Sequence, residues 1–205
     1  MNTSKPISTI SYNTEKYLRE KIYYWKQQGF IEYGMWILHQ PDVDGDKAHY
    51  HVYLQPTKLI QTENLINDSI EIDPNWKPLD FYGDEKEKEQ HEKKQFLKMT
   101  VFKSSEPSNW ILYGLHDEAY LTQKGLSRNI HYDVSDIQST CDDTLLDMLS
   151  SAFDFRNNKL EFRIIDAVNK GVSWQDMVKS GMIPIRQIAG ARLLYSALTG
   201  QEKIV

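Results

Sequence analysis

One cysteine, Cys141, is all that 205 residues contain. That excludes an internal disulfide framework and a zinc module built on several thiolates. No apolar run approaches the roughly 20 residues of a transmembrane helix, so no membrane partner is expected. Met1 to Thr9 lacks the positive-then-apolar layout of a secretory signal, and these absences together point to the cytoplasm. A surplus of positive charge is missing too. The formal net charge is −5, with 16 Lys+Arg against 20 Asp+Glu up to residue 135 and 8 against 9 beyond it. Proteins that grip nucleic acid displace counterions with Lys and Arg, so any such site here has to be a local patch or one completed by a cation. The rest is ordinary for a soluble globular chain, with 40% hydrophobic and 26% charged residues. The length suffices for one substantial core or two small ones.

The patterning divides the chain in two. Asn13 is suited to cap a helix from about Thr14 to Gln28, where Leu18, Ile22 and Trp25 form one buried stripe and Gly29 makes the exit. Tyr33 to Leu38 reads as a strand, followed by an Asp- and Gly-rich turn and a second strand from Ala48 to Gln55, a hairpin that Pro56 ends. A short helix is expected over 61–67, a solvated charged run over 84–94, a strand over 96–103 and one helix from Asn109 to Tyr120. Gly125 opens a turn before Ile130 to Ile137. Beyond about residue 138 the spacing is helical. Leu145, Leu149 and Phe153 mark one helix and Ile164, Ile165 and Val168 a second, closed by Gly171. Ser173 and Asp176 cap a third that Gly181 stops, and Pro184 opens a last helix reaching Leu198. The expected class is α+β. An antiparallel sheet with flanking helices fills residues 1–137, and a small all-helical region fills 138–205.

Chemistry concentrates in His39-Gln-Pro-Asp42 and His49-Tyr-His51. Residues two apart on a strand share a face, so His49 and His51 point together. A hairpin brings His39, at the end of the preceding strand, and Asp42, at the start of the turn, toward the same pair. Three imidazoles and a carboxylate form a mixed N/O donor set that suits Mn²⁺, Mg²⁺ or Zn²⁺ and leaves positions open for a substrate oxygen.

The run Trp36-Ile-Leu-His39-Gln-Pro-Asp42-Val, the Gly/Asp turn and His49-Tyr-His51-Val-Tyr-Leu resemble the metal-binding part of Rep-type rolling-circle plasmid initiators, members of the HUH endonuclease superfamily. Tyr113-Gly-Leu-His116-Asp resembles that family's Tyr-Leu-x-His segment, and His131-Tyr132-Asp133 with Asp136-Ile137 its tyrosine-containing segment. These blocks span roughly 30–56 and 110–137. Gln40 stands where the family often has an acid, Ala48 where it has proline, and the interval from His51 to Tyr132 is long. The resemblance implies a ferredoxin-like HUH nuclease fold and metal ligation by His39, Asp42, His49 and His51. It implies that Tyr132 attacks a phosphodiester of single-stranded origin DNA, leaving a 5′-phosphotyrosine and a free 3′-hydroxyl. It further implies host helicase and polymerase as partners, and a C-terminal region that assembles a homo-oligomer. Tyr120 is the alternative nucleophile, because Lys124 falls one helical turn away; Lys124 and Arg128 are the candidate phosphate contacts.

Two other functions fit the same residues. A mobilisation relaxase shares the metal site but carries its tyrosine near the N-terminus, where Tyr12 is available. A non-catalytic regulator would read duplex DNA through Ser173 to Leu198, whose short glycine turn resembles a helix-turn-helix.

Overall fold

The computed structural model describes residues 2–11, 14–42, 47–57, 60–61, 97–98 and 106–200. Five strands form an antiparallel sheet. They are β2 (Ile7–Ser11), β3 (Ile31–His39), β4 (His49–Pro56), β6 (Leu97–Lys98) and β7 (Gln138–Ser139), in the order β6-β2-β4-β3-β7. Strands β1 (Asn2–Thr3) and β5 (Ile60–Gln61) pair separately, so Gln61 lies in a strand rather than at the start of the expected helix. The rest of that helix, the charged run 84–94 and most of the strand expected over 96–103 lie outside the described residues.

Helix α1 (Glu15–Gln27) connects β2 to β3, and β4 lies between those strands, antiparallel to both. This is a split β-α-β unit. Thr14, one residue after the expected cap, holds the N-terminus of α1 by accepting a hydrogen bond from the Tyr17 amide. The expected stripe of Leu18, Ile22 and Trp25 is buried against Trp36, Val52 and Leu54 on one face of the sheet. Gly34 permits the approach: a Cβ there would sit 2.6 Å from Ile22 Cγ2.

The opposite face carries Tyr33, Met35, Ile37 and Tyr53. It is covered by α2 (Pro107–Gly114) through Trp110 and Ile111, and by α4 (Asp142–Asn158) through Leu145, Leu149 and Ala152. Strand β7 and helix α4 lie beyond the boundary expected at residue 137, yet both complete the sheet layer and its core.

The single helix expected over Asn109–Tyr120 is two. His116 adopts φ +53°, a left-handed conformation that costs a non-glycine residue roughly 1–2 kcal/mol. The Asp117 amide reaches back to the Leu112 carbonyl and the His116 amide to Tyr113, the closure usual at a helix C-terminus. Asp117 then caps α3 (Glu118–Gln123) by accepting from the Tyr120 amide at 2.8 Å.

Helices α5 (Leu160–Asn169), α6 (Trp174–Lys179) and α7 (Ile188–Thr199) share a core of Ile164, Ala167, Trp174, Met177, Ala191 and Tyr195. Ser173 caps α6 as expected, whereas Pro184 precedes a 3-10 turn (Ile185–Gln187) and α7 starts only at Ile188. Arg156 ties this unit to the sheet domain, pairing with Asp117 at 2.6 Å and bidentately with Asp166 at 2.9 Å. No helix among the described residues is long and apolar enough to cross a membrane.

Candidate metal centre

Register builds the site. In the β3–β4 pair His39 lies directly opposite His49, and Ile37 opposite His51. Directly opposed residues on antiparallel strands project from one face, so all three imidazoles share the face that also carries Ile37. Their candidate ligand nitrogens lie within 4.8 Å of one another, so His39, His49 and His51 could hold a metal ion. His39 and His51 are buried and His49 is half-buried.

Hydrogen bonds to backbone carbonyls fix which nitrogen His39 and His49 present. His39 Nε2 is 2.8 Å from the Gly114 carbonyl, which can only accept, so Nε2 carries the proton and Nδ1 keeps a lone pair. His49 Nδ1 donates in the same way to the Lys47 carbonyl at 2.6 Å, leaving Nε2 as its lone-pair nitrogen. That Nε2 lies 3.0 Å from His51 Nε2. Two nitrogens bound at about 2.1 Å to one ion stand roughly 3.0–3.4 Å apart, so the pair suits a shared cation. Backbone carbonyls orienting the far ring nitrogens are the usual support of metal-ligating histidines.

Electrostatics agree. Burial, the largest cause, pushes the His39 pKa down to about 3, opposed by its bond to Gly114 and helped by the nearby imidazoles. Burial likewise holds His51 well below its ordinary value, with His39 and His49 adding to the effect. Both rings are therefore neutral at physiological pH, the form a metal requires.

The cavity among these rings measures about 30 Å³, room for roughly one water or one ion. Tyr113, His116 and Arg128 also line it. Tyr113 lies with its ring centroid 5.3 Å from that of His51, and His116 lies 4.4 Å from His39. His116 donates Nδ1–H to the Ile130 carbonyl at 2.6 Å, while its own carbonyl accepts from His131 Nδ1 at 2.8 Å. Burial lowers the His116 pKa as well.

The other sequence-selected residues divide. Asp42 lines the cavity, yet its carboxylate accepts from the amides of Asn129 (3.0 and 2.9 Å) and Ile130 (3.1 Å), and the three histidine nitrogens converge without it. Tyr132 stacks on His39, with centroids 4.8 Å apart and planes within 4°, and its hydroxyl accepts from the Gln40 amide at 2.7 Å. Burial raises its pKa. Tyr120 is not brought to the histidines. It is buried with Leu112, Phe162 and Ile165, and Lys124 Nζ stands 5.4 Å over its ring. Helix α3 begins anew after His116, which turns Tyr120 into the core shared with α5. Of the two expected phosphate contacts, Arg128 lines the cavity and Lys124 does not.

Tyr113 and His116 have no role among the expectations drawn from the sequence. Their signal was present in Tyr113-Gly-Leu-His116, which sets two polar rings three residues apart at the end of an apolar helix. A scan against protein-family models and a search of curated proteins each return no match.

Proposed function

We propose that the protein is a metal-assisted DNA-nicking enzyme of the HUH type, acting as an initiator of rolling-circle replication. The observation that carries this reading is the convergence of three histidine nitrogens on one sheet face with a tyrosine, Tyr113, in the same small cavity. The split β-α-β core, with His49 and His51 on its central strand, supports it, as do the sequence blocks around His39, His51 and Tyr132. A divalent ion, when bound, polarises a non-bridging phosphate oxygen and neutralises its charge.

The chain's own groups do the rest. Arg128 lies where a guanidinium can hold a phosphate oxygen, supplying locally the positive charge that the chain lacks globally. The attacking hydroxyl loses its proton to solvent and forms a new P–O bond to tyrosine. The bond from phosphorus to the 3′-oxygen breaks, and that oxygen takes up a proton. The bond energy is kept in the 5′-phosphotyrosine, so the strand can be rejoined without ATP. Geometry favours Tyr113 over Tyr132 as nucleophile. Tyr113 lines the cavity, whereas Tyr132 packs on His39 with its hydroxyl engaged by Gln40. Order along the chain favours an initiator over a relaxase, because both tyrosines follow the histidines; Tyr12 lies outside the described residues.

The test is covalent capture on a denaturing gel, using labelled single-stranded DNA pools with Mn²⁺ or Mg²⁺. Wild type and Tyr120→Phe form the adduct, and Tyr113→Phe does not. An adduct lost only in Tyr132→Phe keeps the enzyme class and moves the nucleophile. No adduct from wild type with any pool or metal removes the reading.

A further inference from the structure

The metal-site histidines lie outside the C-terminal helices. Helices α5, α6 and α7 form one three-helix core, with Trp174 of α6 against Tyr195 of α7 (ring centroids 5.7 Å apart) and Ile164 of α5 in the same cluster as Ala191 of α7. A Ser173-capped α6, a connection over 180–187 that turns at Gly181 (φ +72°) and runs through the 3-10 turn Ile185–Gln187, and the longer α7 follow one another in the order of a helix-turn-helix, with a connection longer than the usual three to four residues. In that arrangement the last helix lies against DNA, and its N-terminal half meets base edges.

The exposed face of α7 has the chemistry for it. Ala191 and Tyr195 turn inward, which leaves Ala189, Gly190, Arg192 and Leu193 exposed, together with Arg186 and Gln187 just before the helix. From Pro184 to Gly200 the chain has two arginines and no acidic residue, within a protein whose net charge is −5. A positive stretch in an acidic chain is complementary to a polyanion. Arginine pairs bidentately with guanine and glutamine with adenine, while alanine and other apolar groups meet the thymine methyl. Arg186, Gln187 and Gly190 border a cleft whose other side carries Lys159 and Glu161, one charge of each sign, and a Cβ at Gly190 would meet nothing within 4 Å, so there is room beside the backbone for a ligand.

We propose that α7, with Arg186, Gln187 and Arg192, is a recognition helix that binds the major groove of duplex DNA and reads its sequence. This site is separate from the metal centre, needs no cation and takes a duplex rather than a single strand. In the proposed initiator it holds the protein at its origin, but the binding itself does not depend on the nicking reaction.

The experiment is selection of a random-sequence 24-base-pair duplex pool on the full chain in EDTA, followed by titration of the enriched duplex. Wild type enriches one sequence, and His49→Ala/His51→Ala enriches the same one, which separates this test from the fate of the nicking reading. Arg186→Ala/Arg192→Ala loses about tenfold or more of its affinity for that duplex. It keeps its circular dichroism spectrum and its wild-type level of metal binding. Gln187→Ala relaxes the preference at a single base position. The proposal is overturned if wild type enriches nothing. It is overturned equally if the arginine variant binds the selected duplex like wild type, or if the substitutions change only the sedimentation of the protein, which would make this face a contact between copies.

Discussion

The ring of Tyr132 lies flat on the ring of His39, planes within 4° and centroids 4.8 Å apart, and its hydroxyl accepts a hydrogen bond from the next residue along, Gln40. The stack closes one side of His39, while the Gly114 carbonyl fixes its Nε2. Tyr132 therefore orients a candidate metal ligand. Tyr132→Phe keeps the stack and removes one hydrogen bond, so it should cost about 1 kcal/mol of stability and leave Mn²⁺ affinity within a few-fold. Tyr132→Ala frees His39 and should weaken Mn²⁺ binding by at least about tenfold in calorimetry. Equal effects of the two variants on Mn²⁺ affinity would show that the stack does not orient the ring.

The three histidines could hold a divalent ion, and on that reading His49→Ala and His51→Ala each reduce divalent-ion affinity steeply while the circular dichroism spectrum is retained. In the proposed reaction, nicking should be lost in both. Full nicking by the double variant would remove these histidines from the reaction.

Asp42 accepts the amides of Asn129 and Ile130 and so secures the segment that carries Arg128 across the cavity. Asp42→Ala should lower stability by about 1–3 kcal/mol. It should also raise hydrogen exchange selectively at residues 126–131. Unchanged exchange there, with a large fall in metal affinity, would make Asp42 a ligand before all else.

Acid should destabilise the metal-free protein over a defined window. His39 titrates near 3 in the folded chain and near its ordinary 6.5 when unfolded, and His51 and His116 are displaced in the same direction. Between those values the unfolded state binds more protons. The stabilising contribution is therefore complete above about pH 6.5 and is lost as the pH falls toward 3. Melting temperature in EDTA should drop across this range, and less steeply in His39→Gln. Parallel curves for the two proteins would contradict this origin of the acid sensitivity.

Gly34→Ala tests the packing of α1 on the sheet. Its Cβ would meet Ile22 Cγ2 at 2.6 Å, overpacking that should cost about 1–3 kcal/mol in chemical denaturation. Ile22→Ala removes that methyl, so combining it with Gly34→Ala should cost less than the sum of the two single substitutions, a coupling absent if the two residues do not compete for the same space.

Local periodicity determined a good deal without the fold. A two-residue strand period placed His49 and His51 on one face, and a 3.6-residue period marked Leu18, Ile22 and Trp25 as the buried stripe of α1. The hairpin and the helical C-terminal region were legible for the same reason, because each is written in neighbouring residues. Tertiary structure decided the rest. Register set His39 opposite His49, and that depends on a turn whose length fixes pairing across ten residues. The left-handed His116 broke an apparently continuous helix, carrying Tyr120 into the core and leaving Tyr113 in the cavity. Asp42 was drawn to the amides of Asn129 and Ile130, more than eighty residues away, because unpaired amides compete for a nearby carboxylate regardless of sequence distance. Residue type and spacing thus identified the three histidines, whereas long-range packing chose which tyrosine and which cation stand beside them.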